Sequence, residues 1–225
     1  MTRTGGSGLC RICRCFEIPL EKDRASMRLK DTATRYGWIS IQLHWITAIL
    51  ILYLLYLGNT IGTEEGIDRQ QALDRHISVA ITAYVFLLGR VVWRFFYSHP
   101  GPTDEQRGWA FRLATWTHYS MVVAIALMLV TGPLTQFSYG RDINVFNWFV
   151  ISTPIEASFG LAAFLHNVHT ASAVFIFCTL IFHIGGVYKH TAFNQDGTLA
   201  KMIIPGRQSP ETDTNRSPAS KEGKS

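Results

Sequence analysis

The stretch LHNVHTASAVFIFCTLIFHIGGVYKH, residues 165–190, decides the fold. No Lys, Arg, Asp or Glu occurs from Ala157 to Tyr188, and a helix needs only ~20 apolar residues to cross a hydrocarbon core. A span over about 161–187 follows. Within it, His169 and His183 stand 14 residues apart. At 3.6 residues per turn they differ by roughly 40° around the helix, so they share a face, and by roughly 21 Å along it. Ionisable side chains at membrane depth are costly, so two on one stripe point to a functional site at two depths.

Working outward, three more stretches are free of charge: Tyr36 to Thr63, His76 to Gly89, and Leu113 to Gly140. The second continues as an apolar run past Arg90 and Arg94. They place spans at about 40–58, 77–97 and 118–137, with Gly132-Pro133 able to bend the third, as membrane helices tolerate. The first is too long and starts too late for a cleaved signal peptide. Composition agrees: the chain of 225 residues is 48% hydrophobic and 16% charged, against about 25% charge in soluble domains, and its mean hydropathy is +0.13. A soluble dehydrogenase, protease or nucleic-acid reader is excluded.

The net charge of +5 gains its meaning from its placement. Eighteen Lys and Arg fall before span 1, around the connection between spans 2 and 3, or after span 4, whereas Arg69, Arg75 and Arg141 alone fall in the other two connections. Basic residues mark the cytoplasmic face. The expected fold is therefore an all-α, four-helix integral membrane bundle with both termini cytoplasmic. Residues 1–35 form a basic extension, 36–190 the bundle, and 191–225 a polar cytoplasmic tail. No nucleic-acid partner is implied; lipid is. The 138–160 connection carries Tyr139, Phe146, Trp148 and Phe149, which suit the membrane–water interface.

Span directions pair the histidines. His44 lies near the start of span 1 and His76 at the start of span 2, which runs the other way. His44 therefore sits at the inner level with His183, and His76 at the outer level with His169. Two imidazoles facing each other across a bundle at each of two depths suit two stacked haems, and bundle cores are common hosts for such groups. Small residues near these positions, Gly58, Ala80, Ala83, Gly185 and Gly186 among them, leave room for a porphyrin. His166 is the rival outer ligand, but its 17-residue spacing from His183 turns it roughly 100° away. His190 continues the stripe one heptad past His183, at head-group depth, where it reads either as an interfacial His that snorkels or as a proton donor beside a quinone. His118, at the inner start of span 3, either serves the same region from the opposite wall or packs between helices. Arg90, 14 residues after His76, falls at the inner level, where it can pair with a haem propionate or snorkel to the interface.

The fragments RYGWISIQLHW, DRHISVA, GRVVWR, THYSMVVAIALMLVTGPL, LHNVHTASAVFIFCTLIFHIGGVYKH and DGTLAKMIIPG, in this order between residues 35 and about 207, resemble bacterial cytochrome b561, a group related to hydrogenase cytochrome b subunits. The resemblance implies a four-helix protein of the bacterial inner (plasma) membrane. It implies two b-type haems with axial ligands at His44, His76, His169 and His183. It further implies electron exchange with the quinone pool, one relative being a superoxide oxidase that reduces ubiquinone, and it puts His190 near the quinone region. The expected function is transfer of electrons between an outer donor, superoxide or a partner redox subunit, and quinone. The alternatives are a haem-carrying anchor of a larger dehydrogenase or hydrogenase, and a His-relay proton or metal transporter.

The extension departs from that pattern. Cys10, Cys13 and Cys15 are spaced like part of a metal or iron–sulfur site but lack a fourth ligand nearby. The preferred reading is that translation starts at Met27. Cys178, mid-span, reads as a packing residue.

Overall fold

The computed structural model describes residues 29, 31, 36–96, 108–189, 192 and 203. The cysteine cluster at Cys10, Cys13 and Cys15, Met27, His190 and most of the 191–225 tail lie outside the described residues. Four helices form: α1 (Trp38–Thr63), α2 (Gly66–Phe96), α3 (Trp109–Ser138) and α4 (Phe159–Lys189). All four are long and apolar enough to cross a membrane. Large apolar side chains such as Ile49, Leu52, Val123, Phe175 and Phe177 cover the outside, a surface suited to lipid.

The helices overrun the expected spans at most of their ends. α1 and α2 together leave only Glu64 and Glu65 between them, where the sequence reading put a connection over 59–75. A charge-free run marks the hydrocarbon; the helix continues through the head-group layer because its own backbone bonds satisfy it at any polarity. The polar first turns of α2, GIDRQQALDR, are such an overhang.

The core lies in the middle of the bundle. Ala83, Leu87 and Val91 of α2 meet Val122, Ala124, Ile125 and Leu129 of α3 and Ile176 of α4, with Leu50, Ile51, Leu54 and Leu55 of α1 packed against them. Ile176 is one heptad from both His169 and His183, so the buried stripe of α4 reads His, Ile, His. Cys178, two residues on and roughly 200° round the helix, is exposed, which corrects its reading as a packing residue. α1 packs along α2, α3 along α4, and α2 also meets α3. α4 stands off from α1 and α2, and across that separation the histidine rings face one another.

Pro133 lies inside α3 without ending it. Proline has no N–H, so the carbonyl four residues earlier, that of Leu129, loses its helix donor. The Tyr84 phenol of α2 donates to it at 3.3 Å, which ties the two helices together at that point.

The long connection between α3 and α4 folds into a hairpin that the sequence reading did not foresee: β1 (Ile143–Val145) pairs antiparallel with β2 (Phe149–Ile151). Phe146 and Asn147 both take positive φ, 48° and 59°, as a type I′ turn demands, and Asn144 braces the turn through the Asn147 side chain and backbone. Ile143 and Val145 are buried, while Trp148, Phe149 and Val150 are exposed. The Ser78 hydroxyl donates to the Asn144 carbonyl at 3.3 Å and accepts the Phe146 N–H at 3.1 Å. The hairpin is thereby pinned to α2 two residues from His76.

Candidate functional site

The histidines gather at two levels. At the hairpin end, His76 of α2 faces His169 of α4 with ring centres 6.4 Å apart and planes at 87°. At the other end, His44 of α1 faces His183 of α4 at 6.3 Å and 65°. These are the two pairs expected from spacing and span direction. All four rings are half-buried, whereas His166 is exposed.

A metal–imidazole bond is about 2 Å. Adding the distance from each nitrogen back to its ring centre puts two imidazoles that share one metal roughly 6 Å apart, and the centre separations of both pairs match that spacing. Among the described residues no group of three or more His, Cys, Asp or Glu side chains is arranged to hold a bare metal ion. Two facing imidazoles are instead the number that a metal already held in a macrocycle plane still accepts.

The backbone around the hairpin-end pair is shaped to the rings. A Cβ at Gly132 of α3 would lie 3.3 Å from His169 Cε1, and one at Gly58 of α1 would lie 3.7 Å from His76 Cε1. Gly58 is one of the small residues that leave room for a porphyrin by sequence; Gly132, part of the Gly-Pro bend, adds to them here. His169 Nδ1 lies 3.2 Å from Thr131 Oγ1. The Leu54 backbone carbonyl interacts with the His76 ring, yet among the described residues nothing stands in hydrogen-bonding geometry to the buried His76 Nδ1.

The other level is more polar. His118 of α3 sits edge-on to His183 at 4.9 Å, with its Nδ1 donating to the Ala114 carbonyl at 2.6 Å. His118 is thus part of this cluster. Arg90 turns inward rather than snorkelling: its Nη2 lies 3.4 Å from His44 Nδ1. Arg94, one turn on, covers the Tyr119 ring at 4.9 Å. Asp31 caps α1 by accepting from the Gly37 N–H at 2.7 Å and the Ser40 hydroxyl at 2.6 Å. The Trp93 indole donates to the same Ser40 oxygen. Beside α1, burial pushes the Tyr36 phenol above its usual range, with Arg94 partly offsetting this.

Fold and site together define a multi-pass membrane protein whose four-helix bundle faces two histidine pairs across its interior. A sequence model of the prokaryotic cytochrome b561 family matches residues 35–205. Among curated proteins, cytochrome b561 homolog 2 of Escherichia coli (strain K12) is 27% identical over 179 residues, 79% of this chain and 95% of that one. Cytochrome b561 homolog 1 of the same organism is 21% identical over 171 residues, 75% of this chain and 97% of its own length. The chain belongs to the prokaryotic cytochrome b561 family, and that membership implies b-type haem.

Proposed function

We propose that the protein carries two b haems and passes electrons across a bacterial plasma membrane, between a donor at the outer face and the quinone pool. The observation that carries this reading is the pair of ring separations, 6.3 Å and 6.4 Å, at two levels of one membrane bundle. His44 and His183 would hold the inner haem, His76 and His169 the outer one, with both termini cytoplasmic by the distribution of basic residues. When bound, haem held by two histidines would supply one-electron chemistry and would favour outer-sphere transfer over oxygen activation.

The chain's own residues bind, orient and insulate. Each ligating imidazole is neutral and offers a lone pair from one nitrogen while the other keeps its proton. At the inner level Arg90, a donor only, faces His44 Nδ1. A carboxylate of the cofactor is the partner that would draw the guanidinium away and let His44 carry its proton on that atom. Between the levels, Leu87, Leu129 and Ile176 exclude water. By its place in the sequence, one heptad past His183, His190 would supply a proton to a quinone oxygen, with His118 as the second candidate on the inner side.

The test is to reduce purified protein chemically and mix it with a soluble ubiquinone in a stopped-flow spectrometer. Reoxidation of both haem bands at a rate first order in quinone supports the reading. Haems that stay reduced in excess quinone would overturn it. Superoxide in place of the reductant tests one class of outer donor.

A further inference from the structure

We propose that Thr131 of α3, a helix that supplies no ligand, is the positioning residue of the outer haem. It accepts the His169 Nδ1 proton and so fixes the tautomer that leaves Nε2 free for iron. This rests on His169 being a ligand.

The direction of the bond follows from counting protons. The Thr131 hydroxyl has one, and its oxygen lies 2.8 Å from the Leu127 carbonyl, a group that can only accept. With the proton spent there, the oxygen can only accept from His169 Nδ1 at 3.2 Å. Nδ1 therefore carries the hydrogen and Nε2 the lone pair. Thr131 is 4% exposed, so water does not compete for that oxygen. One turn on, the Thr135 hydroxyl donates to the Thr131 carbonyl at 2.6 Å, which leaves the segment little freedom. The adjacent Gly132 admits the ring itself, since a Cβ there would touch His169 Cε1 at 3.3 Å. Neighbouring residues of α3 thus provide a place for the ring and a hydrogen-bond acceptor for it. The other outer imidazole is held differently: the Leu54 backbone carbonyl interacts with the His76 ring, and no side-chain acceptor stands in hydrogen-bonding geometry to its Nδ1 among the described residues.

A hydrogen bond from the far nitrogen raises the basicity of a ligating imidazole. That stabilises the oxidised iron more than the reduced. Thr131→Val keeps the shape and removes the acceptor. It should shift the outer haem's equilibrium about tenfold toward the reduced form, which is about 59 mV upward for a one-electron couple, and leave the inner haem unmoved. Thr131→Ser keeps the oxygen and should restore the original midpoint. Both are read by redox titration of the haem bands in purified protein, with Thr131→Ala as the second acceptor-free variant should Val disturb insertion. Unmoved midpoints in Val and Ala, or an equal shift in Ser, would overturn the role of Thr131. The underlying ligation is tested separately: if His169→Ala retains both haems, the ligand reading fails first and on its own.

Discussion

Gly132 and Gly58 flank the two rings of the same histidine pair, and a methyl group added at each should have different consequences. At Gly132 the new Cβ lies 3.3 Å from His169 Cε1, closer than the ~3.5–4.0 Å optimum for carbon contacts. The neighbour is a stiff ring, so it must tilt by a few tenths of an ångström, at a cost below the ~0.5–1.5 kcal/mol of a side chain about 30° off its rotamer. The Nδ1 bond to Thr131, already 3.2 Å long, stretches with it, and a typical hydrogen bond contributes ~0.5–1.5 kcal/mol net. Together these come to at most about 3 kcal/mol, or up to roughly a hundredfold weaker haem retention at 1.4 kcal/mol per decade. The scaffold itself gains, since Ala is favoured over Gly in a helix by ~1 kcal/mol. At Gly58 the Cβ meets His76 Cε1 at 3.7 Å, an ordinary contact, so Gly58→Ala should retain haem normally. The assay is transfer of haem to excess apomyoglobin, followed at the Soret band, with helix melting by circular dichroism measured alongside. Gly132→Ala should release one of two haems faster while melting no lower. Equal release from wild type and Gly132→Ala, or faster release from Gly58→Ala, would refute the packing argument.

Tyr84→Phe removes the donor to the Leu129 carbonyl that Pro133 leaves without a helix partner. It should lower stability by about 1–3 kcal/mol, the cost of an unsatisfied buried acceptor, with haem content unchanged, as measured by thermal melting in detergent. His190→Ala should keep both haems but slow reoxidation by quinone roughly tenfold or more, the usual loss for an acid–base group; an unchanged stopped-flow rate would remove His190 from the mechanism.

The spans were legible because charge is expelled from hydrocarbon, and the histidine pairs because a fixed helical period and alternating span directions turn spacing into depth. What escaped the sequence shares a physical cause. A membrane helix is apolar on every side, so no hydrophobic stripe reveals its rotation. α3 carries no pair of histidines to supply that phase, and Thr131 and Gly132 could not be placed against His169, nor His118 against His183, before the helices were packed. The start of α2 escaped because polarity marks the edge of the lipid and not the end of the helix. The hairpin escaped because its strands are three residues each. Its turn also places Phe146 at positive φ, where Asn or Gly is the recognisable signal.

The central claim is that His44–His183 and His76–His169 each hold one haem. Pyridine haemochrome analysis of purified protein, repeated on the four single His→Ala variants, tests it most directly. The predicted result is two b haems per chain in the wild type and one in each variant, with the same haem lost from both members of a pair, and two retained in His166→Ala. A well-folded wild type with no haem would contradict it, and so would a variant pattern that joins His44 to His76 or replaces His169 by His166.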